Sequence, residues 1–182
     1  MDYKDFTDRQ VAFDKFVQYR KKIYDSIEKE KFFDEFAALC TKAVDGDCVA
    51  QDCVAYFFKK GVPDLLMPNF EAYMSWQVLA GANGNRFALE KMEFFMQSAI
   101  NAIIYNEEIL QAALKRRNIT KTNALMVISN LICEGIADEL QLDPKKLMPE
   151  ENRASLYTPQ KNRRFIAAME DSLPKVVEYL VS

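Results

Sequence analysis

The chain has 182 residues, 49% of them hydrophobic and 28% charged, with a formal net charge of -3. That is enough chain for one ordinary domain, or two small ones, with a sizeable core, and the composition is that of a folded protein. Histidine is absent, which excludes the Ser-His-Asp triad, the Cys-His dyad, histidine zinc sites and the Glu-x-x-His di-iron motif.

Only 5 glycines and 6 prolines punctuate the sequence, so long helices are the first expectation. The N-terminal residues lead into a charged amphipathic segment without an apolar h-region, which predicts no signal peptide. No stretch approaches the ~20 apolar residues that span a bilayer, so a cytoplasmic location away from membranes is expected. In Phe6-Thr7-Asp8-Arg9-Gln10-Val11, Thr7 and Gln10 fit a capping box and Phe6 with Val11 a hydrophobic staple. Phe13, Phe16, Val17, Ile23, Tyr24 and Ile27 then recur at helical spacing. A second run carries Phe32, Phe33, Phe36, Leu39, Cys40 and Ala43 and breaks at Asp45-Gly46-Asp47.

A third helix is predicted from Asp47 to Lys60, stopping at Gly61, and Val62–Pro68 is a loop because its prolines disfavour helix before them. Asn69 caps the next helix, which ends at Asn83-Gly84. One helix is then expected from Asn85 to about Tyr105 and another from Asn106 to Arg117. Thr122 to Leu142 reads as helix along a Leu125, Ile128, Ile132, Ile136 and Leu140 stripe, closed by Asp143-Pro144. Residues 144–160 form a connector, and a last helix from Lys161 to Leu180 should be kinked or shortened by Pro174. No alternating β pattern appears.

The sequence also repeats itself. Gly46 and Gly84 stand 38 positions apart, as do Ala50 and Ala88, and Phe57 and Phe95. Such a period indicates stacked helical hairpins. The segment Ala50-Gln51-x-x-Val54-Ala55-Tyr56-Phe57-Phe58-x-x-Gly61 resembles the first helix of a Sel-one-like repeat, a longer relative of the tetratricopeptide repeat. Asn69-Phe70-Glu71-Ala72-Tyr73-x-x-Trp76-x-x-x-Ala80-Gly81-Ala82-Asn83-Gly84-Asn85-x-x-Ala88 resembles its second helix and the entry to the next unit. The likeness covers one unit, residues 50–88, with degenerate flanks. Ala55 stands where the family usually has Gly, and Val62–Pro68 replaces a Gly-rich turn. The resemblance implies that Trp76 packs between paired helices and that Ala80 and Gly81 line a close crossing. It also implies a non-enzymatic module that binds a protein or peptide.

The resulting expectation is a single all-α domain over 1–182 with about 7–8 helices, a short atypical α-solenoid or compact bundle. Residues 5–105 form stacked antiparallel hairpins and residues 106–182 a helical extension. Tyr56, Phe58, Phe70 and Tyr73 are the candidate partner-binding aromatics, since aromatic side chains make good interface anchors. An alternative is a nucleic-acid-associated regulator using the basic segments 115–121 and 145–164, with Lys115, Arg116, Arg117, Lys121, Arg163 and Arg164 as a candidate patch. Gly135–Asp143 resembles the first helix of a helix-turn-helix, but the Pro-bounded segment after it is too short for a recognition helix. Cys48 and Cys53 with Asp45, Asp47 and Asp52 lack zinc or EF-hand spacing. Glu134, Asp138 and Glu139 fit a polar helix face better than an acid–base pair. No cofactor, metal or catalytic constellation is expected, and the four cysteines read as buried thiols.

Overall fold

The computed structural model describes residues 6–148 and 159–182, with side chains in the second span described from Asn162 onward. Among these residues the chain is all-α. Its helices are α1 (Arg9–Ile27), α2 (Phe32–Val44), α3 (Cys48–Lys60), α4 (Phe70–Ala82), α5 (Arg86–Phe95), α6 (Gln97–Ile104), α7 (Glu107–Arg117), α8 (Lys121–Glu139) and α9 (Pro159–Val181). A 3-10 turn at Pro144–Leu147 follows α8. The expected stretch from Asn85 to Tyr105 divides at Met96, so among the described residues nine helices stand where about 7–8 were expected.

The two glycine corners close in the same way. The Gly46 and Asp47 amides donate to the carbonyls of Ala43 and Lys42, and the Gly84 and Asn85 amides donate to those of Gly81 and Ala80. Gly46 and Gly84 take φ of 97° and 82°, a region strained for L side chains. Asp47 and Asn85 then cap α3 and α5, accepting the Ala50 and Ala88 amides at 3.1 and 3.0 Å. Each corner is thus a Schellman ending followed at once by an N-cap.

The start of α1 departs from the expected capping box. Asp8 is the cap, accepting the Val11 amide at 3.0 Å, while Gln10 donates to Asp14. A carboxylate combines the capping geometry with a full negative charge at the positive end of the helix. Thr7 is left to pin the second corner: its amide donates to the Gly84 carbonyl at 3.2 Å, and its hydroxyl accepts the Arg86 amide at 3.4 Å. Val11 is 65% exposed and Phe6 packs on the core, so there is no staple.

Helices α3 and α4 form the centre. The whole span Met74–Ala82 of α4 is buried, the pattern of a helix covered on every side, and α3 is buried over Val49–Ala55, Phe57 and Phe58 while Tyr56, Lys59 and Lys60 reach the surface. One apolar cluster lies between α1, α2, α3 and α4, and a larger one joins α4 to α5, α6, α7, α8 and α9. Beyond α5 the chain turns back, and α8 packs on α4. Gly81 accordingly makes its close crossing with α8: a Cβ there would sit 2.7 Å from Cys133 Sγ. The Asn130 amide donates to the carbonyls of Gly81 and Ala82 across the same contact. Helix α9 runs through Pro174 to Val181 without being shortened.

Candidate functional site

Parallel stretches of α1, α3 and α5 share one face. On α1, Phe13, Phe16, Arg20 and Tyr24 recur at helical spacing, as do Asp52, Tyr56 and Lys59 on α3 and Phe87, Lys91 and Phe94 on α5. Phe13 meets Phe87 with ring centroids 6.1 Å apart, and Phe16 meets Tyr56 edge-on at 5.8 Å. Four cations lie over rings here, one of them the Arg9 guanidinium, 5.7 Å from the Phe87 centroid. The Lys91 ammonium is 5.5 Å from the Phe16 centroid, the Arg20 guanidinium 5.9 Å from Tyr56, and the Lys59 ammonium 5.3 Å from Tyr73. These are cation–π distances.

Beneath them lies a buried carboxylate. Asp52 is 2% exposed, accepts the Gln77 amide at 2.9 Å and pairs with Lys91 at 2.7 Å. Burial raises the Tyr73 phenol pKa, and the nearby Asp52 charge raises it further. The Tyr24 and Tyr56 hydroxyls are 3.3 Å apart, a contact that together with burial pushes Tyr24 up to about 12. The face therefore offers cations, aromatic rings and phenol hydroxyls.

At the edge of this face Asp47 does structural work. It accepts the Tyr19 hydroxyl at 2.6 Å and pairs with Lys15 at 2.7 Å while capping α3. Burial opposes its ionisation, but the hydrogen bonds from Lys15, Tyr19 and the Ala50 amide outweigh burial and hold it below its ordinary value of 3.8. The unfolded chain thus binds this proton more readily, so Asp47 contributes stability that is complete above pH 3.8 and is lost as pH falls through the folded value. Urea titrations from pH 5 downward should show this: Asp47→Asn, which can still cap, will lose less stability on acidification than the parent chain. Parallel decline of the two would refute the linkage.

Of the four sequence-derived aromatics, Tyr56 and Tyr73 belong to this face. Phe70 sits at its margin, half-buried and edge-on to Tyr73 at 5.9 Å. Phe58 is corrected to the core, where it packs edge-on against Phe36 at 5.9 Å. It stands two residues from Tyr56, and that spacing places it on nearly the opposite side of α3.

The basic residues do not form one patch. Arg117 stacks on Tyr179 and donates to its carbonyl at 3.0 Å, and Arg116 donates to the Val181 carbonyl, so both serve the C-terminal end of α9. Arg163 and Arg164 lie near the other end of α9, where Arg164 pairs with Glu71. From Arg164 to Tyr179 is about 22 Å of helix at 1.5 Å per residue. Lys115, Lys121, Lys145 and Lys146 are exposed, and Arg153 lies outside the described residues.

Cys40, Cys53 and Cys133 are buried as expected, whereas Cys48 is only part-buried. Burial raises the pKa values of Cys40, Cys48 and Cys53, Cys40 to about 12, which opposes thiolate chemistry. Glu139 pairs with Lys175 at 2.7 Å. The Arg20, Lys59 and Lys91 cations escape sequence reasoning because they come singly from α1, α3 and α5. The one signal was Asp52, a charge inside an otherwise apolar helical run. Comparison with protein-family models, curated proteins and solved structures finds no match to the chain.

Proposed function

We propose that the chain is a non-enzymatic interaction module, built from helical hairpins of the Sel-one-like kind, that holds a protein or peptide partner on the α1–α3–α5 face. The observation that carries this reading is the set of part-exposed rings at Phe16, Tyr56 and Tyr73, each beneath a cation from α1, α3 or α5. Phe94 extends the face and is 87% exposed, an anchor of the kind that fills a partner's pocket. The matched corners at Gly46 and Gly84 support kinship with hairpin repeats.

The test is selection from a displayed library of random peptides on the full chain, followed by rebinding to Tyr56→Ser. Recovered peptides should lose at least ~10-fold in affinity to this variant, about 1.4 kcal/mol, while its melting temperature shows that it remains folded. A library that yields no binder, or binders indifferent to Tyr56→Ser and Phe94→Ser alike, would overturn the proposal.

A further inference from the structure

We infer that the partner of this face is a peptide segment rich in carboxylates and carrying at least one apolar side chain. The inference rests on the interaction-module reading and adds the chemistry of the partner. Its basis is a local charge imbalance. Among the described residues Arg20 and Lys59 have no ion-pair partner. The acids on the three helix faces are already committed: Asp52 is buried under Lys91 and Gln77, and Glu90 pairs with Arg9 at 3.6 Å. The acids of α1, Asp14 and Asp25, stand about 100° round the helix from Phe13 and Tyr24 and are engaged by Gln10 and Lys21. A partner's carboxylates would find their complement here, the arrangement that fixes orientation.

The geometry also separates this partner from single-stranded nucleic acid. Base recognition needs a run of bare ring faces on which successive bases stack; here Arg20, Lys59 and Lys91 lie over the rings of Tyr56, Tyr73 and Phe16, which leaves the separate rings of Phe13 and Phe94 open. Phe94, one turn beyond Lys91 on α5, provides the apolar contact.

The experiment uses the full chain and fluorescein-labelled peptides in which glutamate alternates with leucine and phenylalanine, beside the same peptides with glutamine for glutamate. Anisotropy is read at low salt and at ~200 mM salt, where the Debye length falls below ~10 Å. The acidic peptide should bind at least ~10-fold more tightly than the glutamine form and weaken on adding salt. The Arg20→Gln/Lys59→Gln double variant, which leaves the Asp52–Lys91 pair intact, should lose that advantage. Lys121→Gln/Arg163→Gln, which removes cations elsewhere, should keep it. Equal binding of both peptides in a Tyr56-dependent manner would overturn the acidic partner and leave the module standing. An unaffected Arg20→Gln/Lys59→Gln variant, displacement of the peptide by oligothymidylate at lower concentration, or self-association of the chain through this face would each overturn the inference as well.

Discussion

Replacing Trp76 with alanine will cost the fold about 3–5 kcal/mol, the range for deleting a fully enclosed large aromatic. The indole is completely buried in the cluster shared by α1, α2, α3 and α4. Its Nε1–H donates to the Leu147 carbonyl at 3.3 Å, fastening the 3-10 turn at Pro144–Leu147 onto α4. The substitution therefore opens a cavity and releases a connector together. Trp76 is the only tryptophan, so urea unfolding must be followed by far-ultraviolet circular dichroism instead of intrinsic fluorescence. Trp76→Phe, which keeps one aromatic ring in the site and loses the hydrogen bond and part of the packing, should cost less. A loss below ~1 kcal/mol for alanine, the scale of an ordinary surface change, would show that the indole is not wedged between the paired helices.

The second large effect is expected at Gly135, where alanine will destabilise by about 3 kcal/mol, the upper end of the overpacking range. In an open helix the same change is favourable by about 1 kcal/mol, so packing must reverse the sign. It does so because a Cβ on Gly135 would lie 2.4 Å from the Cβ of Ser172 on α9. Carbon atoms rest about 3.5–4.0 Å apart, and Ser172 is itself buried with its hydroxyl donating to the Met169 carbonyl. Helices α8 and α9 must then part by roughly an ångström. Ser172→Gly in the same background should recover most of the loss, as measured by denaturant midpoints of the single and double variants. A Gly135→Ala chain as stable as the parent would show that the crossing is looser than drawn.

What could be read from the sequence were the features fixed by local chemistry. Gly46 and Gly84 each supply a left-handed residue between a helix and an Asp or Asn cap, and both corners lie where the pattern put them. Helix α8 instead ends at Glu139, before the expected Asp143-Pro144 stop, because Gln141 takes the left-handed conformation (φ 49°) and Asp143 caps the 3-10 turn that follows. The break at Met96 was not legible, because no Gly, Pro or capping side chain marks it; Met96 is buried, and tertiary packing imposes the turn. Thr7 misled because Asp8, one residue later, caps the helix at the Val11 amide, while the Thr7 hydroxyl is taken up by Arg86 at the second corner. At the candidate site, Tyr56 and Tyr73 were visible through their resemblance to repeat positions. Arg20, Lys59 and Lys91 were not, since their neighbourhood exists only once α1 lies against α3 and α5. The basic runs at 115–117 and 163–164 drew attention by adjacency in sequence, yet Arg116, Arg117 and Arg164 are engaged by carbonyls, a ring and a glutamate.

Helix α4 has a consequence for how the molecule comes apart. It gives Trp76 and Leu79 to one apolar cluster and Met74, Val78 and Ala82 to the other, so a single rod is the party wall of both. Tyr73 also touches each side. Neither half can shed its contacts without stripping the surface on which the other rests, so heat or denaturant should dismantle them in one concerted transition, with no half-melted species accumulating between.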